Sequence, residues 1–341
     1  MEMKLTFDDV LIVPKFSDVK HRGDLSVAPS DMTLGLQNPI ISANMSTITE
    51  IDMANTMFTL GGAGILHRNI PKDVLLEYLG LHPFSDVPNL AKVTFIAVGT
   101  VEQDKDRIDL IIDAHHTRGV AICVDIAHGH SQGMKDTLNY IRNTKKFPGI
   151  VIAGNVCTRE ATKDLFVWGA SVVKVGIGSG SVCTTRLQTG CGYPQLTAIM
   201  ECSEEGPIIA DGGIRTAGDV CKALAAGASY VMIGGMLAGT DKTPGYEKGK
   251  EFVYRGMASL REKQGWGRSQ DYVEGVSVLS FSRKNSSTKD VVDNILDGIR
   301  SCMSYVGANS INELQYNAGF IKVSSSAIVE GGAHFEVNND N

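Results

Sequence analysis

One of the seven cysteines has the setting of a nucleophile. Cys183 lies in GSGSVCTTR (Gly178–Arg186), ringed by Gly178, Gly180, Ser181, Thr184, Thr185 and Arg186, with Val182 its one apolar neighbour. A cysteine is most often a small buried hydrophobe. In a polar, glycine-rich loop with an arginine nearby to favour thiolate, it can instead attack an electrophile. Asp125 in CVDIAHGH is a strand-end carboxylate, a candidate for catalysis or cofactor contact. Asp211, before Gly212–Gly213, could accept from ribose hydroxyls or serve plainly as a helix N-terminal charge, and Glu274 in DYVEGV, taken alone, reads as a solvated loop charge. The pairs Gly212–Gly213 and Gly234–Gly235 end apolar runs, where glycine lets backbone N–H groups approach a phosphate. They would serve equally as tight turns. His128 and His130 have metal-like spacing, but no Cys/His/Glu cluster accompanies them, so no metal is expected there.

These residues follow apolar runs that read as strands. The runs are Pro39–Met45, Gly64–His67, Val93–Gly99, Ala121–Ala127, Ile150–Val156, Val172–Gly178, Ile208–Gly213 and Tyr230–Gly235. They are continuously apolar rather than alternating, as strands covered on both faces should be. Helical patterns separate them. Ile51, Ala54 and Phe58 repeat at helical spacing, and Thr216 with Asp219 makes a capping-box start before Val220, Ala223 and Leu224. Val292, Leu296, Ile299 and Met303 share one face of a closing helix. Eight βα units predict one α/β domain over 1–341, a (β/α)8 TIM barrel, with a doubly wound sheet as the alternative. Two segments are long and glycine-rich: an active-site loop over 178–195, and a flap over 239–275 after strand eight. Both follow strand C-termini, where barrel enzymes keep their sites. A polar tail is expected from about 327 to 341.

The chain has 341 residues, 32 Lys+Arg against 38 Asp+Glu, and 37 glycines. Its charge of −6 supplies no basic surplus for phosphate backbones, so no nucleic-acid partner is expected. No signal peptide or membrane-length apolar run is seen, and the cysteines form no CxxC pair. A reduced, cytoplasmic setting away from membranes is the expectation.

The string VKVGIGSGSVCTTR (Val173–Arg186), with AGNV (Ala153–Val156), ADGG (Ala210–Gly213) and MIGGMLAG (Met232–Gly239), resembles the IMP dehydrogenase/GMP reductase family. FDDVLIVPK (Phe7–Lys15) and YVGA (Tyr305–Ala308) fit it too, so the resemblance covers nearly the whole chain. It implies a barrel, usually a homotetramer, acting on a purine mononucleotide (GMP or IMP) with a nicotinamide cofactor. Cys183 would attack purine C2 to give a thioimidate, with Thr185 and Glu274 relaying a proton to the departing amine. Ser181, Asp211, Gly212, Gly213, Gly234 and Gly235 would hold the nucleotide, together with Gly256, Met257, Ala258 and Gly275. Cofactor contacts are implied at Arg68, Asp125, Ile126, Ala127, Ile177, Gly178 and Tyr272. Backbone carbonyls of Gly178, Gly180 and Cys183 match a monovalent-cation site, K+ being the ion implied.

Between the two branches the resemblance leans to GMP reductase, which would use NADPH. The CBS modules often inserted after the second βα unit are absent, the flap is short, and it contains no adjacent Arg-Tyr pair. GCGYPQL (Gly190–Leu196) and ANM (Ala43–Met45) look reductase-like. HRN (His67–Asn69), DIAHGHS (Asp125–Ser131), YRGM (Tyr254–Met257) and AGFIKVSS (Ala318–Ser325) look more like bacterial dehydrogenases, which use NAD. Arg68 stands where many members carry lysine, and Ser46 where aspartate is usual. A dehydrogenase without CBS modules is therefore the alternative, and a catalytically weak nucleotide-binding regulator a third reading.

Overall fold

Eight short parallel strands hydrogen-bond in chain order until the last meets the first, closing a barrel. They are β1 (Ile40–Ser42), β2 (Ala63–Leu66), β3 (Thr94–Val98), β4 (Val120–Asp125), β5 (Val151–Val156), β6 (Val172–Val175), β7 (Ile208–Asp211) and β8 (Tyr230–Ile233). Ile41 faces Ala63 on one side and Met232 on the other, which is the closure. The computed structural model describes residues 2–79, 94–247, 250–265, 273–281 and 287–331. Each expected strand is present; six lie within their apolar runs, and β2 and β4 begin one residue earlier, at Ala63 and Val120.

The helices between strands are α1 (Ile51–Thr59), α2 (Lys72–Tyr78), α3 (Asp104–Arg118), α4 (Gln132–Asn139), α5 (Arg159–Val167), α6 (Gln195–Ser203) and α7 (Ala217–Ala225), and α8 (Thr288–Tyr305) follows β8. The Thr216–Asp219 capping box forms as the sequence predicts. On α8, Val292, Ile295, Leu296, Ile299 and Met303 are buried. On α1 the buried stripe is Met53, Ala54 and Met57, whereas Phe58 faces outward; a 100° step per residue carries it past the face that Met57 occupies.

Alternation along the strands divides the core in two. Outward side chains pack beneath the helices. Inward ones, including Ile41, Ile65, Phe95, Cys123, Ile152, Val172, Ile209 and Tyr230, fill the barrel lumen. Leu34 plugs one end, where its N–H donates to Tyr230 Oη at 3.0 Å and that hydroxyl donates to the Asp31 carbonyl at 2.7 Å. At the other end, where the strands finish, Asp125, Lys174 and Asp211 form a charged layer.

Three irregular segments carry local structure of their own. The active-site loop carries a short helix, Thr185–Thr189, and its last residue, Gln195, begins α6. The flap is built on an antiparallel hairpin, Glu251–Arg255 with Ser277–Phe281, so it extends past 275. The first residues of the expected tail are helical, within Ser325–Glu330. Outside the barrel, Val10–Ile12 pairs antiparallel with Phe320–Lys322, bringing the ends of the described chain together. Among the described residues no helix is long and apolar enough to cross a membrane.

Candidate active site

The charged layer arises from the strand register. Asp125 on β4 lies opposite Gly154 on β5, and Gly154 opposite Lys174 on β6. Lys174 shares its inward face with Val172. A Cβ at Gly154 would stand 2.5 Å from the Lys174 carbonyl oxygen, so a larger residue there would collide with β6. Lys174 Nζ donates to Asp125 Oδ1 at 2.9 Å and to Asp211 Oδ2 at 2.6 Å. Asn44 Nδ2 donates to Asp125 Oδ2 at 2.7 Å, and Asn155 Nδ2 to Asp211 Oδ2 at 2.9 Å. Burial alone would push the Asp125 carboxyl up, but the Lys174 ammonium outweighs it and, with Arg68 and Asn44, holds Asp125 below the usual carboxylate range. Burial disfavours the Lys174 ammonium, yet the two aspartates raise its affinity for the proton above that of an ordinary lysine.

Above this floor the long loop and the flap meet. Cys183 Sγ lies 3.2 Å from Thr185 Oγ1, and the Thr185 hydroxyl donates to Glu274 Oε2 at 2.9 Å. Backbone contacts support the chain of groups: Thr184 N–H donates to the Glu274 carbonyl at 2.9 Å, and Val276 N–H to the Val182 carbonyl at 3.0 Å. Cys183 and Gly275 form an antiparallel bridge, and Ser259 and Gly275 a parallel one. Glu274 is thus held by main chain on both sides, contrary to its plainer reading as a solvated loop charge. Tyr254, on the first hairpin strand, lies 3.2 Å by its hydroxyl from Ser181 Oγ, and burial pushes its phenol up.

A cavity of about 460 Å³ opens at this face. Cys183, Thr185 and Glu274 line it, and so does every expected nucleotide residue from Ser181 to Gly275. Of the expected cofactor residues, Arg68, Asp125, Ile126, Ala127, Ile177 and Gly178 line the same cavity. Tyr272 lies outside the described residues. Gly180 of the carbonyl trio lines it too, and its carbonyl accepts the Cys183 N–H at 3.0 Å. Gly212 has a φ of +93°, and a Cβ there would stand 2.5 Å from Ser179 Oγ, so the turn after β7 is restricted to glycine by conformation and space together.

The neighbouring arginine, the histidine pair and the other cysteines have structural surroundings. The Arg186 guanidinium donates to the Tyr193 carbonyl, and its stem crosses the faces of Gly178 and Gly192, so it braces the loop. His130 lies 2.9 Å from Asp164 and stacks on Trp168 at 5.8 Å, a packing role. Among the described residues no group of three or more His, Cys, Asp or Glu could hold a metal ion. Cys123 and Cys221 are buried, and Cys157 is half-buried against the core. Sequence patterning does not single out Lys174, Asn44, Asn155 or Tyr254. A lone lysine inside an otherwise apolar strand run was the available signal for the first.

The family model described as IMP dehydrogenase / GMP reductase domain matches residues 4–334. The chain belongs to the IMP dehydrogenase/GMP reductase family. It is 38% identical to a GMP reductase of Vibrio atlanticus, over 94% of this chain and 95% of that one. It is 35% identical to an inosine-5'-monophosphate dehydrogenase of Cryptosporidium parvum, over 97% of this chain and 94% of the relative. The GMP reductase C318A of Trypanosoma brucei, solved in complex with guanosine 5'-monophosphate, superposes with a TM-score of 0.87 at 25% identity, covering 99% of each chain. Members of this family are oxidoreductases of purine metabolism that use nicotinamide cofactors, and both branches are among the relatives.

Proposed function

We propose that this family member is a GMP reductase, converting GMP to IMP and ammonia with NADPH. The observation that carries the reading is the unbroken contact chain from Cys183 through Thr185 to Glu274. Cys183 Sγ bonds to purine C2 as its proton passes through the Thr185 hydroxyl to the Glu274 carboxylate. The proton returns by the same route to the 2-amino nitrogen, the C2–N bond breaks, and ammonia leaves a thioimidate. When bound, the nicotinamide cofactor supplies a hydride to C2. The C–S bond then breaks and Cys183 departs as thiolate, giving IMP. Asp211 accepts from ribose hydroxyls, and the turns at Gly212–Gly213 and Gly234–Gly235 present backbone to the phosphate, with Ser181 and Gly256–Ala258 closing around the nucleotide.

The residues proposed for the cofactor suit such a group. The Asp125 carboxylate has lone pairs beyond those used by Lys174 and Asn44, Arg68 supplies a cation, and Ile126, Ala127 and Ile177 give apolar wall. A monovalent cation at the carbonyls of Gly178, Gly180 and Cys183 would brace the loop, and carbonyl oxygens are suitable donors for K+. The second reading is an IMP dehydrogenase, favoured by DIAHGHS and YRGM and by the Cryptosporidium parvum relative. There NAD would take a hydride from C2, and water would release XMP.

A paired assay at the cofactor absorbance separates them. GMP with NADPH should turn over, and IMP with NAD+ should not; turnover of IMP alone would sink the reductase reading. Cys183→Ala should lower turnover by at least about 10³-fold while nucleotide binding survives.

A further inference from the structure

One buried carboxylate outside the reacting groups joins three separate segments at the mouth of the barrel. Glu262, on the short helix Leu260–Gly265, is 3% exposed. Its Oε2 accepts from Ser46 Oγ at 2.8 Å, and its Oε1 from Asn69 Nδ2 at 2.7 Å. Arg255 Nη1 stands 3.7 Å from Oε2. Ser46 belongs to the segment after β1, Asn69 to the segment after β2, and Arg255 to the first hairpin strand of the flap. Beside this carboxylate, Arg255 N–H donates to Thr47 Oγ1 at 3.2 Å.

The same stretch of flap cradles the segment carrying Glu274. Gly256 N–H donates to the Val276 carbonyl at 3.0 Å, and Ser259 bridges to Gly275. A Cβ at Gly275 would stand 3.1 Å from the Ser259 nitrogen, so the two backbones are packed against each other. From Glu262 to the proton relay the connection is therefore short and mostly main chain. A buried carboxylate without partners would be costly, but here donors from three segments satisfy it. A neutral acceptor would lose the charge attraction to Arg255, and an apolar side chain would leave Ser46 and Asn69 without this acceptor.

We propose that Glu262 is a positioning residue: its carboxylate seats the flap on the segments after β1 and β2, and so sets Glu274 against Thr185. The inference rests on reading Glu274 as the proton relay to the Cys183-bound purine. A displacement of about 1 Å at a reacting group can cost about 10²-fold in rate, so loss of this anchor should be visible in kcat.

The experiment moves the charge. Because Ser46 Oγ already touches Glu262 Oε2, a carboxylate at position 46 can occupy the same polar pocket. E262A should lower kcat by about 10–100-fold, and E262Q should lower it less. In E262A the amides of Thr184 and Val276, which hold Glu274 and its neighbour, should exchange with deuterium at least about tenfold faster. The double variant S46D/E262A should recover kcat to within about fivefold of wild type and restore slow exchange. S46D alone, with two carboxylates face to face, should lose activity. Wild-type kcat and exchange in E262A would overturn the proposal; if E262A does not fold, the same result in E262Q would. So would a double variant whose thermal stability returns while kcat and exchange do not, since that marks a structural ion pair only. If the wild type turns over neither GMP nor IMP, the functional reading falls, and the exchange measurements still decide whether Glu262 holds the segment.

Discussion

Lys174 shows how much a single buried charge can organise. Its ammonium lies between two carboxylates that reach it from strands on either side of the barrel floor, and both carboxylates line the cavity. The pH consequence follows from the directions of the shifts. Asp125 is held below its ordinary value, so its contribution is present above about pH 4 and lost as acid protonates it. Lys174 is raised, so its contribution is full below about pH 10 and lost only as pH climbs through its folded value. The Asp125–Lys174 pair therefore stabilises evenly from about pH 5 to 9. Lys174→Met removes the counter-ion, and burial then pushes Asp125 up. Urea unfolding should show a deficit of about 3–5 kcal/mol at pH 8 that shrinks toward pH 5 as a carboxyl takes up a proton. An equal deficit at both pH values would count against this account. Cys183 and its flanking residues are legible in the sequence because they form one uninterrupted string. Lys174 is not, because its partners lie on other strands and only the register reveals them.

Strand ends impose the sharpest constraints on the elements. The chain leaves β6 through Gly176, where φ is +149° and a Cβ would stand 1.9 Å from the Asp211 carbonyl oxygen. That oxygen also accepts from Ser179 Oγ and Gln195 Nε2, so it has little freedom to retreat. Gly176→Ala should cost more than about 3 kcal/mol or prevent folding. Gly319→Ala, where nothing lies within 4 Å, should stay within about 0.5 kcal/mol. Urea midpoints of the two variants make the comparison, and equal midpoints would refute it. The eight strands were readable because each is covered on both faces and keeps a continuous apolar run. The flap hairpin was not: Glu251–Arg255 mixes exposed and buried positions among charged letters, and its partner strand lies beyond an intervening helix. Even Phe58, placed on the buried face of α1 by spacing alone, turns outward because Met53, Ala54 and Met57 already fill that face.

At the scale of the molecule, the barrel leaves large apolar side chains uncovered. Phe16, Tyr316 and Leu187 are each at least 85% exposed, and Leu11 and Ile321 are paired in the two-stranded sheet outside the barrel, both exposed. Such surface is a candidate for contact between copies. A homotetramer, implied by the family resemblance, is the expected assembly. Sedimentation equilibrium should give a mass near four times 36.6 kDa, and a monomer mass at micromolar concentration would contradict it.

The partnership of Thr185 with Glu274 spans 89 positions of chain. At about 5–20 residues per second, a ribosome delivers the thiol of Cys183 on the order of 5–20 s before the carboxylate at the other end of this contact chain. Throughout that interval the nascent polypeptide carries the proposed nucleophile without its proposed proton acceptor. On the proposed mechanism, chemistry thus waits for the flap: translation halted before it would leave the nucleophile without its relay.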